Sequence, residues 1–128
     1  MSVRVELIDE AFDDLVGYAK SGNILLFLKK LVRLEAVGEQ AGVPLRGNLS
    51  GYHKIVVGDR DWRIVFRMSE DRQVAIILVI GDRDDAACYE TATRRLATLS
   101  GSVPSTISLA AAMLELVQLS KRSRRDRR

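Results

Sequence analysis

Apolar and polar residues alternate over VRVEL (3–7), a period of two that predicts a half-buried strand. From Phe12 the period lengthens. Phe12, Leu15, Val16 and Ala19 recur at helical spacing behind an acid-rich start, DEAFDD, with Asp9 at the N-cap position. SGN (21–23) breaks this helix, and Ile24, Phe27, Leu28, Leu31, Leu34 and Val37 carry a second one to about Gly38 or Gly42. Two helices with a short break between them predict a helical hairpin. VPLRGNLSGY (43–52), punctuated by Pro, Gly, Asn and Ser, reads as loop. Three strands follow at about 52–57, 61–68 and 73–80, with corners at Gly58-Asp59 and SEDR (69–72) that suit antiparallel hairpins. VAIILVI is apolar at every position, so both of its faces need cover and it belongs in the middle of the sheet. DDAACYETATRRLATL (84–99) reads as a helix with acids in its first turn and Arg94 and Arg95 near its end.

After SGSVPS (100–105), a linker by composition, SLAAAMLELVQLSK (108–121) is amphipathic, with Leu109, Met113 and Leu116 on one stripe. The order β-α-α-β-β-β-α plus one helix predicts an α+β fold. An N-terminal strand and a three-stranded antiparallel meander form a four-stranded sheet, with a helical hairpin, a closing helix and an extra C-terminal helix. The expected divisions are a domain over 1–99, a linker over 100–105, and a C-terminal amphipathic helix with a basic tail over 106–128. A chain of 128 residues, 47% apolar and 29% charged, is sufficient for one packed domain and unlike a disordered segment. VAIILVI is far too short to cross a bilayer, no signal-like segment opens the chain, and Cys88 has no internal partner. The expectation is a cytoplasmic protein without a membrane role. No His/Cys/Asp cluster has metal-ligand spacing, so neither metal nor cofactor is expected.

Charge changes the picture only locally. The formal net charge is +3, yet KRSRRDRR (121–128) holds six basic residues and one acid, and the first 120 residues carry 14 basic and 16 acidic ones. The informative stretch is HKIVVGDRDWRIVFRM (53–68). Strand alternation puts Tyr52, Lys54 and Val56 on one face, and Arg63, Val65 and Arg67 on the matching face of the next strand. A two-residue corner at Gly58-Asp59 would set Lys54 directly opposite Arg63, on a face that no helix covers. Like charges side by side cost stability unless a polyanion sits on them, which points to phosphate. Arg83, just past the central strand, reaches the same rim, and Tyr89 lies in the following helix. The opposing reading is a solvated sheet edge with Asp59, Asp61 and Asp82 as partners. His53 falls on the core side, where a satisfied structural imidazole is expected, and Trp62 shares the parity of Ile64 and Phe66 in the core.

PLRGNLSGYHKI, WRIVFRM and VAIILVIGDRDDAACYE, taken in order, resemble the RelE/ParE superfamily of bacterial toxin–antitoxin modules over residues 3–98. The carriers are LRG before the first hairpin strand, a Lys followed by Arg63 in WRIVF, and G-x-R-x5-Y at the end of the sheet. The RelE branch implies a type II toxin that inhibits translation by cutting messenger RNA on the ribosome, through attack of a 2′-hydroxyl and without metal. By match to the motif, Lys54 would help deprotonate that hydroxyl, Arg63 would stabilise the crowded phosphate, Arg83 the leaving oxygen, and Tyr89 would orient a base. Arg46, in LRG, matches a cation near the RNA backbone, with Arg67 and Tyr52 as further RNA contacts. Lys54 can act as base only if neighbouring cations depress its pKa.

Two departures keep other branches open. Val56 stands where ribosome-dependent members often have a second Lys, and residues 82–90 carry a net −3 around Arg83. The alternatives are a ParE-like inhibitor of DNA gyrase and a toxin-fold binding module without activity. The partners implied are a cognate antitoxin covering the basic face and a ribosome-held message. The C-terminal helix offers Leu109, Met113 and Leu116 either to the chain's own core or to a homodimer.

Overall fold

The computed structural model describes residues 2–47, 50–99 and 105–125. β1 (Arg4–Ile8) runs without a loop into α1 (Asp9–Lys20), and extended Ile8 occupies the N-cap without a side-chain cap bond. Asp9 is therefore the first helical residue rather than the cap, and with Glu10 it complements the helix dipole. α2 (Ile24–Val37) and a short 3-10 turn (Gly38–Ala41) lead to β2 (Val43–Pro44). Then come β3 (Tyr52–Val57), β4 (Trp62–Met68), β5 (Val74–Asp82), α3 (Asp85–Leu99), β6 (Thr106–Ser108) and α4 (Leu109–Arg125).

The class is α+β as expected, but the sheet has six strands, in the order β2-β3-β4-β5-β1-β6. β1 and β5 are parallel and every other pairing is antiparallel. The four predicted strands form the middle. β2 and β6 are additions of two and three residues at the two edges, where the sequence reads as loop and as the beginning of the C-terminal helical segment 106–128. Strands so short carry no periodic signature; they form because the outer edges of β3 and β1 present unpaired backbone groups. β5 is central and buried on both faces, as its unbroken apolar run requires.

One face of the sheet packs on α1 and α2, joining Val5, Leu7, Ile55, Ile64, Phe66 and Ile77 to Leu15, Phe27, Leu31 and Leu34. Trp62 closes this layer at 5.4 Å from Phe27 and 6.0 Å from Tyr18, ring centre to ring centre. α3 crosses β4 and β5, with Cys88 and Ala92 buried. α4 packs on β1 and α1 through Leu109, Ala112 and Leu116. Two members of the stripe offered for self-association, Leu109 and Leu116, are thus part of the chain's own core, while Met113, Leu114 and Val117 face out. Among the described residues no helix is long and apolar enough to cross a membrane.

β1 ends four residues before β5 does in their shared register, so along that edge the last part of β5 faces α1 and α3 instead of a strand, while its other edge stays paired with β4. A bulge falls there. Val65 pairs Val79 and Phe66 pairs Ile77, leaving Leu78 without a partner on β4. Asp14 of α1 and Arg95 of α3 take over the missing strand's role. The Ile80 N–H donates to Asp14 Oδ2 at 3.1 Å, Arg95 donates to the Leu78 carbonyl at 2.8 Å, and the two side chains pair at 2.8 Å.

Candidate functional site

The β3–β4 hairpin differs from its expected form, and the site follows from the difference. Val57 pairs with Trp62, so the connection is the four residues Gly58–Asp61 rather than a two-residue corner. Gly58 and Arg60 both adopt left-handed backbone (φ 67° and 68°), and a Cβ on residue 58 would come within 2.8 Å of the Trp62 ring. The longer turn shifts the register by two: Lys54 lies opposite Val65, and Arg63 opposite Val56. Lys54 and Arg63 are diagonal neighbours on one face, within reach of each other's long side chains.

That face is not open at this corner. Asp84 caps α3 by accepting the Ala87 N–H at 3.0 Å, and Asp85 opens its first turn. The close approach of α3 depends on Gly81, where a Cβ would meet Cys88 Sγ at 3.0 Å, and on the Cys88 thiol donating to the Asp82 carbonyl at 3.3 Å. Burial raises the Cys88 pKa, so this residue is a packed thiol. From this seat Asp85 accepts from Arg63 Nε at 2.7 Å through Oδ1 and from Lys54 Nζ at 3.2 Å through Oδ2. Arg63 Nη1 donates to the carbonyls of Arg60 (2.9 Å) and Trp62 (3.0 Å), so the guanidinium lies folded against its own turn, 12% exposed. Lys54 is 23% exposed and Asp85 39%.

Electrostatics corrects one expectation. Burial pulls the Lys54 pKa down, but hydrogen bonds to Asp85 and to Tyr89, with their charges, outweigh it and leave the group above the ordinary lysine value. Lys54 is thus a firm cation here, not the depressed amine that a general base requires. Burial pushes Asp85 up, and Arg63 and Lys54 more than reverse this, leaving its carboxyl below the usual range. Among the described residues, the acids near Arg83 do not pair with it. Asp85 reaches across to β3 and β4, and the Tyr18 hydroxyl donates to Asp82 at 3.0 Å. The local partners named as alternatives, Asp59, Asp61 and Asp82, make no ion pair with these cations among the described residues.

The fold brings Lys54 and Arg63 together on Asp85, and Tyr89, one turn further along α3, lies near enough to Lys54 to help raise its pKa. Arg83 is exposed on the rim, one residue beyond the Trp62–Asp82 pair, with no hydrogen bond or ion pair among the described residues. Tyr52 and Arg67 form a separate pair further along the sheet, the guanidinium 5.8 Å from the ring centre. Tyr52 is only 8% exposed beneath it, which leaves little of the ring free as a platform for a base. Arg46 is exposed in the loop after β2. His53 stacks on Phe66 (5.1 Å) with Nε2 3.8 Å from Glu39, but among the described residues its buried Nδ1 has no partner, so the expectation of a satisfied imidazole is met only in part. Sequence reasoning missed Asp85 as the partner of Lys54 and Arg63. The available signal was an acid in the first turn of a helix whose start must lie beside Arg63.

No family model and no curated protein sequence matches the chain. Solved structures do. A free-state mutant of the E. coli RelE toxin aligns at 21% identity over 75% of this chain and 99% of its own, with a TM-score of 0.61. The Mycobacterium tuberculosis RelBE2 toxin–antitoxin complex contains a chain 20% identical, covering 65% of this one and 100% of itself, at 0.55. The isolated E. coli RelE toxin gives 20% identity and 0.52. The architecture of this chain is the RelE toxin fold.

Proposed function

We propose that this protein is the toxin of a toxin–antitoxin pair and that it cuts RNA at the corner formed by Lys54, Arg63 and Tyr89, with Arg83 on the rim. The observation that carries the reading is the meeting of two cations from different strands at one point of a RelE fold, with a helix tyrosine near Lys54. Cleavage builds charge on the non-bridging oxygens of the scissile phosphate, and a guanidinium held by two carbonyls is already oriented to meet it. With its raised pKa, Lys54 serves as a second fixed cation. Rate then comes from charge stabilisation and from aligning the 2′-hydroxyl with the phosphate, which a ribosome-held message would supply. No metal enters the scheme. A cognate antitoxin would neutralise the toxin. The exposed Leu25, Leu26 and Val32 beside Lys29 and Arg33 on α2 suit an acidic amphipathic helix from such a partner.

Induced expression followed by primer extension on cellular messages tests the reading. Growth arrest with cuts inside translated messages is expected. Arg63→Ala should lower cutting by about 100-fold, the scale of losing one preorganised charge donor, and Arg83→Ala should weaken it without unfolding the domain. DNA breaks with intact messages would replace this reading with gyrase poisoning. The Asp85 contact favours one other reading, a binding module without activity, for which antitoxin binding would persist and neither lesion would appear.

A further inference from the structure

We propose that Asp85 is the resident anion of the phosphate site, a built-in competitor that RNA must displace before it can engage Lys54 and Arg63. The inference rests on the reading of this corner as an RNA site. Each oxygen of the Asp85 carboxylate meets one cation, Oδ1 with Arg63 Nε at 2.7 Å and Oδ2 with Lys54 Nζ at 3.2 Å. Two non-bridging phosphate oxygens would make the same pair of contacts. Arg63 is held: its Nη1 is tied to the Arg60 and Trp62 carbonyls. The carboxylate is the least buried of the three groups. It can rotate away without unwinding α3, because the helix start is capped by Asp84.

The consequence is selective. A site open for only a fraction of the time binds its ligand more weakly by that fraction, so a site open about one-tenth of the time loses about tenfold in affinity. Free RNA pays this penalty in full. A strand held against the corner by a larger assembly has a high effective concentration and can still displace the carboxylate. Asp85 thus sets a preference for presented single-stranded RNA over RNA in solution.

The test uses the full chain and a short single-stranded RNA with 2′-O-methyl riboses, which cannot be cut, followed by fluorescence anisotropy. Asp85→Asn should bind about tenfold more tightly than the wild type. Glu90→Gln, which removes one charge from the same helix without touching the cations, should change affinity by about twofold or less. Adding Arg63→Ala to Asp85→Asn should abolish the gain, a non-additivity expected of groups in direct contact. Asp85→Ala repeats the measurement in case the new amide rebuilds a bond to Arg63. The proposal fails if neither Asp85 variant binds more tightly, if Glu90→Gln gives an equal gain, or if the gain survives loss of Arg63. The two ideas separate cleanly. Tighter binding without message cutting in cells would keep the gate and remove the nuclease; cutting without a binding gain would do the reverse.

Discussion

Arg63 illustrates how one side chain's position depends on several distant choices. Its face follows from strand alternation, but its conformation follows from the turn before it, where left-handed Arg60 and Trp62 at the start of β4 present the carbonyls that hold Nη1. His53 is the counterpart on the other face. Burial lowers its pKa, opposed by Glu39 and reinforced by Arg72, and its Nδ1 has no partner among the described residues. A lowered folded pKa means that the unfolded chain takes the proton first. Stability from the neutral ring is full above about pH 6.5 and is lost as pH falls through the window below it. Urea titrations from pH 7 to pH 5.5 should therefore show a smaller loss in His53→Phe than in the wild type, since the phenyl ring keeps the stack on Phe66 and does not titrate. Equal losses would exclude the imidazole as the source. Parity alone put Lys54 and Arg63 on one face, while their diagonal rather than direct pairing came from the longer turn. Their occupant was not legible, because Asp85 lies in another element and its acidity is equally explained by the start of a helix.

At the level of elements, periodicity located the helices and the four long strands but not the two edge strands, which depend on neighbours rather than on local pattern. Nor could it locate the bulge at Leu78, since VAIILVI is apolar throughout and has no parity to break. The Asp14–Arg95 pair, 81 residues apart in sequence, repairs that bulge and the strand edge beside it. Removing either partner leaves a half-buried charge and weakens the hold on a backbone group. Arg95→Ala or Asp14→Ala should each cost about 2–4 kcal/mol in chemical denaturation. The double variant should cost less than the sum of the two. Additive losses would mean that the two residues stabilise the edge independently.

For the whole molecule, α4 is the informative case. Its amphipathic pattern shows that one stripe is buried, but does not say against what. Leu109 and Leu116 belong to the same core as Val5 and Leu7, so α4 closes the fold over β1 and α1. Leu109→Ala should cost about 2–5 kcal/mol of monomer stability, the usual range for a fully packed leucine. Sedimentation velocity on the same variant should show no change in oligomeric state. A shift in assembly without a loss of stability would restore Leu109 to an intermolecular role. The exposed Met113, Leu114 and Val117 are a different face of the helix.

Hydrophobic periodicity and turn residues were sufficient by themselves for the α+β class and the central position of β5, because each is a local property of the chain, and the RelE resemblance rested on short motifs read in order along it. Tertiary structure alone decided the six-strand sheet, the repaired bulge, the two-residue shift in register and the carboxylate bound to Lys54 and Arg63. Apart from the register, which the four-residue turn sets, each of these depends on which distant backbone edge or charged group lies within about 3 Å, the range of a hydrogen bond, and spacing along the chain carries no record of that distance.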